Sequence, residues 1–429
     1  MSLLRFEVTV TTVVISPDFF SHYQPLAVIA TALHRSGERV IVATGLAMRP
    51  LVERDGLEWR RLDLAAGSND GLAAAATHDP SDPNSLDAFI DATRRGFVET
   101  LSFQATKRGR ELLWNPVDVG RNIMALLDDI NPDQILADQV SLVSTLGVLA
   151  SGRRFTTIVP GHPTQLPIAG EHYGNASSWP DTLHADPAEL AALTSTITTV
   201  NAEVTESFNQ ALRRLTTNVA AVDDAFAVHG EHVAYHWETD LHDPARLGRL
   251  PEPHLDLGPL VRHELLPPEF DHVMAGDRPL VVIALGTFLV HRHDVLTAAM
   301  RAVDRVGARA VVAIGHHEPA TFGPIPHDWI LARRIPQVAL LRHAHCIINH
   351  AGNGSVQEAL AAGTHQILLP MSTDQIAIAA DLVRTDRATA ADPNHLNIDD
   401  LANQLANTIT KDRSTPTPTN LDTFINQTA

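Results

Sequence analysis

The stretch from Cys346 to Gly363, Cys-Ile-Ile-Asn-His-Ala-Gly-Asn-Gly-Ser-Val-Gln-Glu-Ala-Leu-Ala-Ala-Gly, gathers side chains suited to holding an anion. An apolar strand runs into a turn containing Gly352 and Gly354, then into a helix that Gly363 closes. Glycines let the backbone turn tightly and bring its N–H groups up to a ligand. A helix N-terminus adds the positive end of its dipole, which favours a phosphate there. Ser355, at the helix start, is expected to cap the helix or bond a phosphate oxygen. His350, just before the turn, is placed to donate to the same group, and Glu358, about one helical turn on, to accept from ribose hydroxyls. Gly-Asn-Gly alone is as well explained by packing. It has no Gly-Lys-Ser/Thr, so it is not a P-loop, and it lacks the third glycine of the dinucleotide fingerprint.

The elements that must position this turn alternate along the chain. Phe6 to Ile15 is β-rich, Pro25 sits where a first helical residue is expected, and Leu26, Ile29, Ala30 and Leu33 recur at helical spacing up to Gly37. Arg39 to Thr44 is a short buried strand, which completes a β-α-β opening and favours a parallel sheet. Further strands are expected at 133–137 and 155–159, with a helical pattern over 187–222. Prolines 251, 253, 259, 267 and 268 mark a connection between domains. A second series places strands at 280–285, 310–314, 329–333, 346–349 and 366–369. The fold class is therefore α/β: two tandem Rossmann-like, doubly wound parallel sheets with ligands at the strand ends and in the cleft between them. The divisions are 1–245, a linker over 246–275, a second domain over 276–412, and a tail over 413–429 expected to pack back on the first domain.

Composition bounds the rest. A chain of 429 residues with 44% apolar residues suits two cores. No window holds eighteen uninterrupted apolar residues, so no membrane span is expected. The opening stretch to Ser16 lacks a basic region and a cleavage site, and reads as a strand and not a signal peptide. The lone Cys346 rules out an internal disulfide and fits a reducing cytoplasm. A formal charge of −18 argues against a nucleic acid as main partner.

The turn and its neighbours resemble the donor-binding signature of the nucleotide-sugar glycosyltransferases of natural-product biosynthesis, whose fold is the two-domain GT-B type. Arg334-Ile335-Pro336-Gln337 is similar to that family's Trp-Val-Pro-Gln, and Ala339-Leu340-Leu341-Arg342-His343-Ala344 leads on to the glycine turn, Gly363, Pro370 and Asp374-Gln375 in the family's order. The bacterial branch, which decorates antibiotics such as macrolides, is the nearer one. The resemblance implies that His350 and the amides around Gly352, Asn353, Gly354 and Ser355 hold a diphosphate. It implies that Glu358 holds the ribose, and that Asp374 and Gln375 hold sugar hydroxyls. Arg334, Ile335 and Gln337 would border the base, and Gly286-Thr287 would line the same cleft. Arg334 stands where an aromatic usually stacks on the base, which leaves thymine or uracil undecided, and Ala351 stands where glycine is common.

In the first half, Ser21-His22-Tyr23-Gln24-Pro25-Leu26 is similar to the family's Gly-His-x-x-Pro-Leu, which implies that His22 is a general base. Attack of a hydroxyl on an anomeric carbon needs its proton removed, and imidazole has a suitable pKa. A carboxylate on the other ring nitrogen would orient it; Asp138, in Pro132-Asp133 to Asp138, is the candidate. The implied reaction is inverting and metal-independent, with a dTDP- or UDP-sugar as co-substrate, no cofactor, and a small-molecule acceptor whose pocket is shaped by 160–179 and 65–86. A homodimer is left open. Competing readings are a zinc site at His343, His345, Cys346 and His350, a catalytically idle relative that binds or activates, and a sugar-nucleotide epimerase on the same scaffold. The loop His291-Arg292-His293-Asp294 reads as solvated or as part of the cleft rim.

Overall fold

The computed structural model describes residues 10–65, 67, 86–107 and 112–428. Two parallel sheets carry it. The first runs in the order β3-β2-β1-β4-β5-β6-β7, with β1 at Thr11–Ile15, β2 at Arg39–Thr44, β3 at Glu58–Arg61, β4 at Gln134–Asp138, β5 at Thr156–Val159, β6 at His232–Tyr235 and β7 at His254–Asp256. The second runs β10-β9-β8-β11-β12-β13, with β8 at Leu280–Ala284, β9 at Arg309–Ala313, β10 at Ile330–Ala332, β11 at Cys346–Asn349, β12 at His365–Leu368 and β13 at Thr389–Ala390.

Helices cover both faces of each sheet, so the central strands are apolar on both sides. In β8 every residue is buried. Val281 and Ile283 face helices His293–Arg305 and Ile398–Ile409, while Leu280, Val282 and Ala284 face Leu340, Leu341 and Ala359. The first sheet repeats the scheme: Val13 and Ile15 pack under helices Pro116–Ile130, Leu142–Ser151 and Pro187–Leu215. Val14 packs under helix Phe20–Arg35. The long helix Pro187–Leu215 is fixed at its start by Asp186, whose carboxylate accepts from the Ala188 amide at 2.6 Å, and by Pro187 at its first position.

Strand order reverses beside β1 in the first sheet and beside β8 in the second, and the crevice at such a point is where open α/β sheets bind ligands. Several boundaries differ from expectation. β7 lies inside the proline-rich stretch assigned to the linker, because His254–Asp256 adds to β6 as the edge of the first sheet. The edge strands β3, β7 and β13, and β6 beside β7, are short, and their alternation is too brief to stand out. Helix Phe20–Arg35 begins five residues before Pro25, which is therefore inside it. Pro25 has no N–H for the Ser21 carbonyl, so the first turn is open where Ser21 borders the cleft. Phe6 to Thr9, and most of the 65–86 loop, lie outside the described residues. The tail helix Leu421–Thr428 lies on helix Phe20–Arg35, with Phe424 in one cluster with Leu26, Ile29 and Leu33. No described helix is long and apolar enough to cross a membrane.

Candidate active site

One cleft of about 1730 Å³ runs between the domains and is lined from both crevices. On the first-domain side, His22 sits in the opening turn of helix Phe20–Arg35, and Asp138 is the last residue of the neighbouring strand β4. Parallel pairing of β1 with β4 brings these two chain ends together. The His22 Nδ1 lies 2.9 Å from Asp138 Oδ2; the carboxylate is fully buried, whereas the imidazole side chain is 18% exposed and borders the cleft. Asp138 Oδ1 accepts from the Val140 amide at 2.9 Å, so both oxygens of this buried acid have partners. Burial pushes the His22 imidazole down, but Asp138, and beyond it Asp374, pull it up further, leaving it above the ordinary histidine value. With the carboxylate accepting from Nδ1–H, the neutral ring keeps a free lone pair on Nε2, the tautomer needed to take a proton.

On the second-domain side, the turn after β11 is shaped by Asn349, a residue the sequence reading passed over. Its side chain accepts from the Ala351 amide at 2.7 Å and donates to Gln366 at 3.0 Å. Ala351 takes φ +61°, the left-handed region that explains why glycine is common there. Helix Asn353–Ala362 starts two residues before Ser355; its N-cap is Gly352 and no side chain caps it. The expected Ser355 cap is thus corrected: Ser355 is the third helical residue, and its hydroxyl accepts from Gln337 at 3.1 Å. The first intrahelical bond is Val356 N to Gly352 O, which leaves the amides of Asn353, Gly354 and Ser355 at the open helix start.

His350 stands against this helix start. A Cβ on Gly352 would lie 2.3 Å from its Nε2, and one on Gly286, at φ +74°, would lie 2.7 Å away, so both glycines make room for the ring. Burial holds His350 down at about 4, with the Ala284 carbonyl and Asp374 opposing only in part, so the ring is neutral at pH 7 and has one N–H to donate. Asp374 thus acts on both His22 and His350, one from each side of the cleft.

Other predicted residues divide between the cleft and the seam. Thr287, Ile335 and Gln337 line the cleft. Glu358 is paired with Arg262 of the linker and accepts from Gln337 at 2.7 Å. Arg334 reaches the first domain, its guanidinium 5.7 Å from the Phe20 ring centroid, so its aromatic partner here is Phe20. Asn353 turns away from the helix start and donates to the Pro160 and His236 carbonyls at 2.7 and 3.1 Å, which makes it a strut between domains. Asp374 accepts from the His162 amide at 2.9 Å and from Gln165 at 3.1 Å. The Gln375 oxygen accepts from the Met371 and Ser372 amides, both at 3.0 Å, so its carboxamide is engaged in its own turn. A buried pair, His162 Nε2 to Asp381 at 2.9 Å, closes the same seam.

The grouping of His343, His345, Cys346 and His350 does not persist in space. His345 accepts from the Leu280 amide before the start of β11, whereas His350 follows its end, five residue steps or roughly 16 Å of extended chain away. His291 and His293 instead meet His316, His317 and Phe322 at the rim of the second domain. The stretch 160–179 does border the cleft, through Pro160, Gln165 and Tyr173 among others.

Comparison with known proteins adds the following. Residues 261–415 match the family described as UDP-glucoronosyl and UDP-glucosyl transferase. Oleandomycin glycosyltransferase of Streptomyces antibioticus is 33% identical over 131 residues, 27% of this chain and 29% of that protein. O-mycaminosyltylonolide 6-deoxyallosyltransferase of Streptomyces fradiae is 25% identical over 404 residues, 86% of this chain and 82% of that protein. The first two curated relatives are matched over no more than 30% of their own length. Among solved structures, the glycotransferase of kitacinnamycin superposes with a TM-score of 0.65 at 17% identity, covering 98% of this chain and 95% of its own. Glycosyltransferase VinC, solved in complex with DTDP, gives 0.63 at 16% identity, covering 97% and 94%. The two-domain fold expected from the strand pattern is that of these proteins, and the resemblance read from the motifs is borne out.

Proposed function

We propose that this chain, which carries the UDP-glucoronosyl and UDP-glucosyl transferase match over 261–415 and has its relatives among the bacterial natural-product glycosyltransferases, is an inverting glycosyltransferase. It moves a sugar from a uridine or thymidine diphosphate donor to a hydroxyl of a small natural-product acceptor. One observation carries the reading: the His22–Asp138 pair at the first crevice opens into the same cleft as the His350 turn at the second.

In the reaction, His22 Nε2 takes the acceptor proton as the oxygen attacks the anomeric carbon, and Asp138 stabilises the imidazolium that forms. The bond from anomeric carbon to diphosphate oxygen breaks on the opposite face, so a single displacement inverts the centre. The departing charge falls on the open amides of Asn353, Gly354 and Ser355 and on the His350 N–H, a preorganised anion site that makes a metal dispensable. Asp374, between His22 and His350, is suited to the sugar hydroxyls. Phe89, Phe103, Leu112 and Tyr173 give the acceptor end an apolar wall, which suits a large hydrophobic aglycone.

The decisive measurement is release of nucleoside diphosphate and formation of glycoside with donor and alcohol acceptor supplied. His22→Ala should lose transfer by about two to four orders of magnitude; unchanged rates would refute the mechanism. An idle relative would release nothing, and an epimerase would interconvert sugars without freeing the diphosphate.

A further inference from the structure

Glu358 is a carboxylate in an unusual setting. Its side chain is only 12% exposed, and burial lifts its pKa above the ordinary value in spite of the cation beside it. That cation is Arg262, which comes from the interdomain linker, 96 residues earlier in the chain. Its Nη1 bonds Glu358 Oε1, and its Nη2 bonds Glu264 Oε1 at 3.1 Å. Glu264 Oε2 in turn accepts from the Val338 amide at 2.8 Å, at the start of helix Gln337–Leu341. The Gln337 amide completes the frame, donating to Glu358 Oε2 at 2.7 Å and to Ser355 Oγ at 3.1 Å.

Each carboxylate oxygen has two acceptor positions. Arg262 takes one on Oε1 and Gln337 one on Oε2, so the plane of the carboxylate is fixed and one position on each oxygen remains. Glu358 lines the cleft beside Gln337 and Ser355, so the cleft is where those positions can be used. We propose that Arg262 is a positioning residue for the nucleotide ribose: its bond to Oε1, opposite the Gln337 bond to Oε2, holds the Glu358 carboxylate in the orientation in which it accepts from the ribose hydroxyls. The proposal rests on the donor-site reading above and extends it to a residue outside the second domain. Without the guanidinium, Oε1 loses its partner, the buried carboxylate loses its counter-ion and only the Gln337 bond to Oε2 holds it, so its plane is no longer fixed.

The test is calorimetric titration of the full chain with UDP and its 2′,3′-dideoxy analogue, and with thymidine diphosphate and its 3′-deoxy analogue. The unsubstituted chain should prefer the hydroxylated member of the pair it binds. Arg262→Met should weaken binding of that member by about tenfold or more while leaving the deoxy member unchanged. Arg262→Lys should restore part of the loss. In an Glu358→Gln background, where the side chain carries no charge to be neutralised, adding Arg262→Met should remove little further affinity. Equal weakening of both members would assign Arg262 a merely structural role and overturn the proposal, as would no change in either. If the unsubstituted chain binds the pair without discriminating, the ribose role falls while the transfer reading stands. If it binds no nucleotide, both fall together.

Discussion

Asp138→Asn is the perturbation that probes the proposed catalytic pair most sharply, because the structure dictates what the amide would do. Asp138 Oδ1 accepts from the buried Val140 amide at 2.9 Å, and Oδ2 faces His22 Nδ1 at the same distance. In the variant, the atom beside Val140 N–H must remain an oxygen; turning the NH2 toward it would forfeit a buried hydrogen bond, about 1–3 kcal/mol. The NH2 therefore faces Nδ1, and the ring responds by accepting there and carrying its proton on Nε2. That tautomer has no lone pair for the acceptor hydroxyl. The expected loss is most of what a general base contributes, about two to four orders of magnitude in kcat, with donor binding unchanged. The pH profile supplies a second readout. His22 must be neutral to act, and Asp138 holds its pKa above the ordinary value, so the rising limb of transfer should be centred above 6.5 in the unsubstituted enzyme. In the variant the limb should move to lower pH at a much reduced plateau. Initial rates of diphosphate release at saturating donor and acceptor, measured across pH, decide it. A variant with near-normal kcat and an unmoved limb would refute the pairing of these residues as base and orienter.

Two further outcomes concern the seam and the turn. Asn353→Ala should strip the Pro160 and His236 carbonyls of their side-chain donor and lower stability by about 1–3 kcal/mol, read as a shift in the denaturant midpoint; a negligible shift would deny Asn353 its role as a strut. Ala351→Gly should change stability by no more than about 1 kcal/mol, because relief of roughly 1–2 kcal/mol of left-handed strain is offset by a buried methyl worth about 0.8 kcal/mol. A gain well beyond that range would show that strain dominates.

The parallel architecture was legible because buried strands such as Arg39–Thr44 and Cys346–Asn349 are short segments built on apolar runs, Val-Ile-Val-Ala and Cys-Ile-Ile, between glycine and helix signals. The candidate site was legible where it is built from local spacing, as in the His350 turn. Pairing of distant strand ends also placed His22 on Asp138, since both were expected at the carboxyl end of a strand. What escaped the reading depends on contacts across the chain. Asn353 occupies a motif position yet points to Pro160, and nothing in its neighbours encodes that direction. Arg262 lies in a proline-rich connection whose residues have no periodicity to read, and its partner is 96 positions away. Arg334 differs from the resemblance in sequence, and its contact with Phe20 needed both domains in view.

The seam through Asn353, Asp374 and Asp381 bears on modular engineering of such a protein. Two-domain transferases invite recombination, one half chosen for its acceptor and the other for its donor. Here the joint is drawn from the proposed donor motif itself, and it is read by the Pro160 and His162 backbone and the His236 carbonyl of the other half. A hybrid whose imported half lacks an amide at position 353 or a carboxylate at 374 would inherit intact chemistry on each side and a mismatched join between them. Compatible halves are therefore those that match at these positions, whatever their substrates.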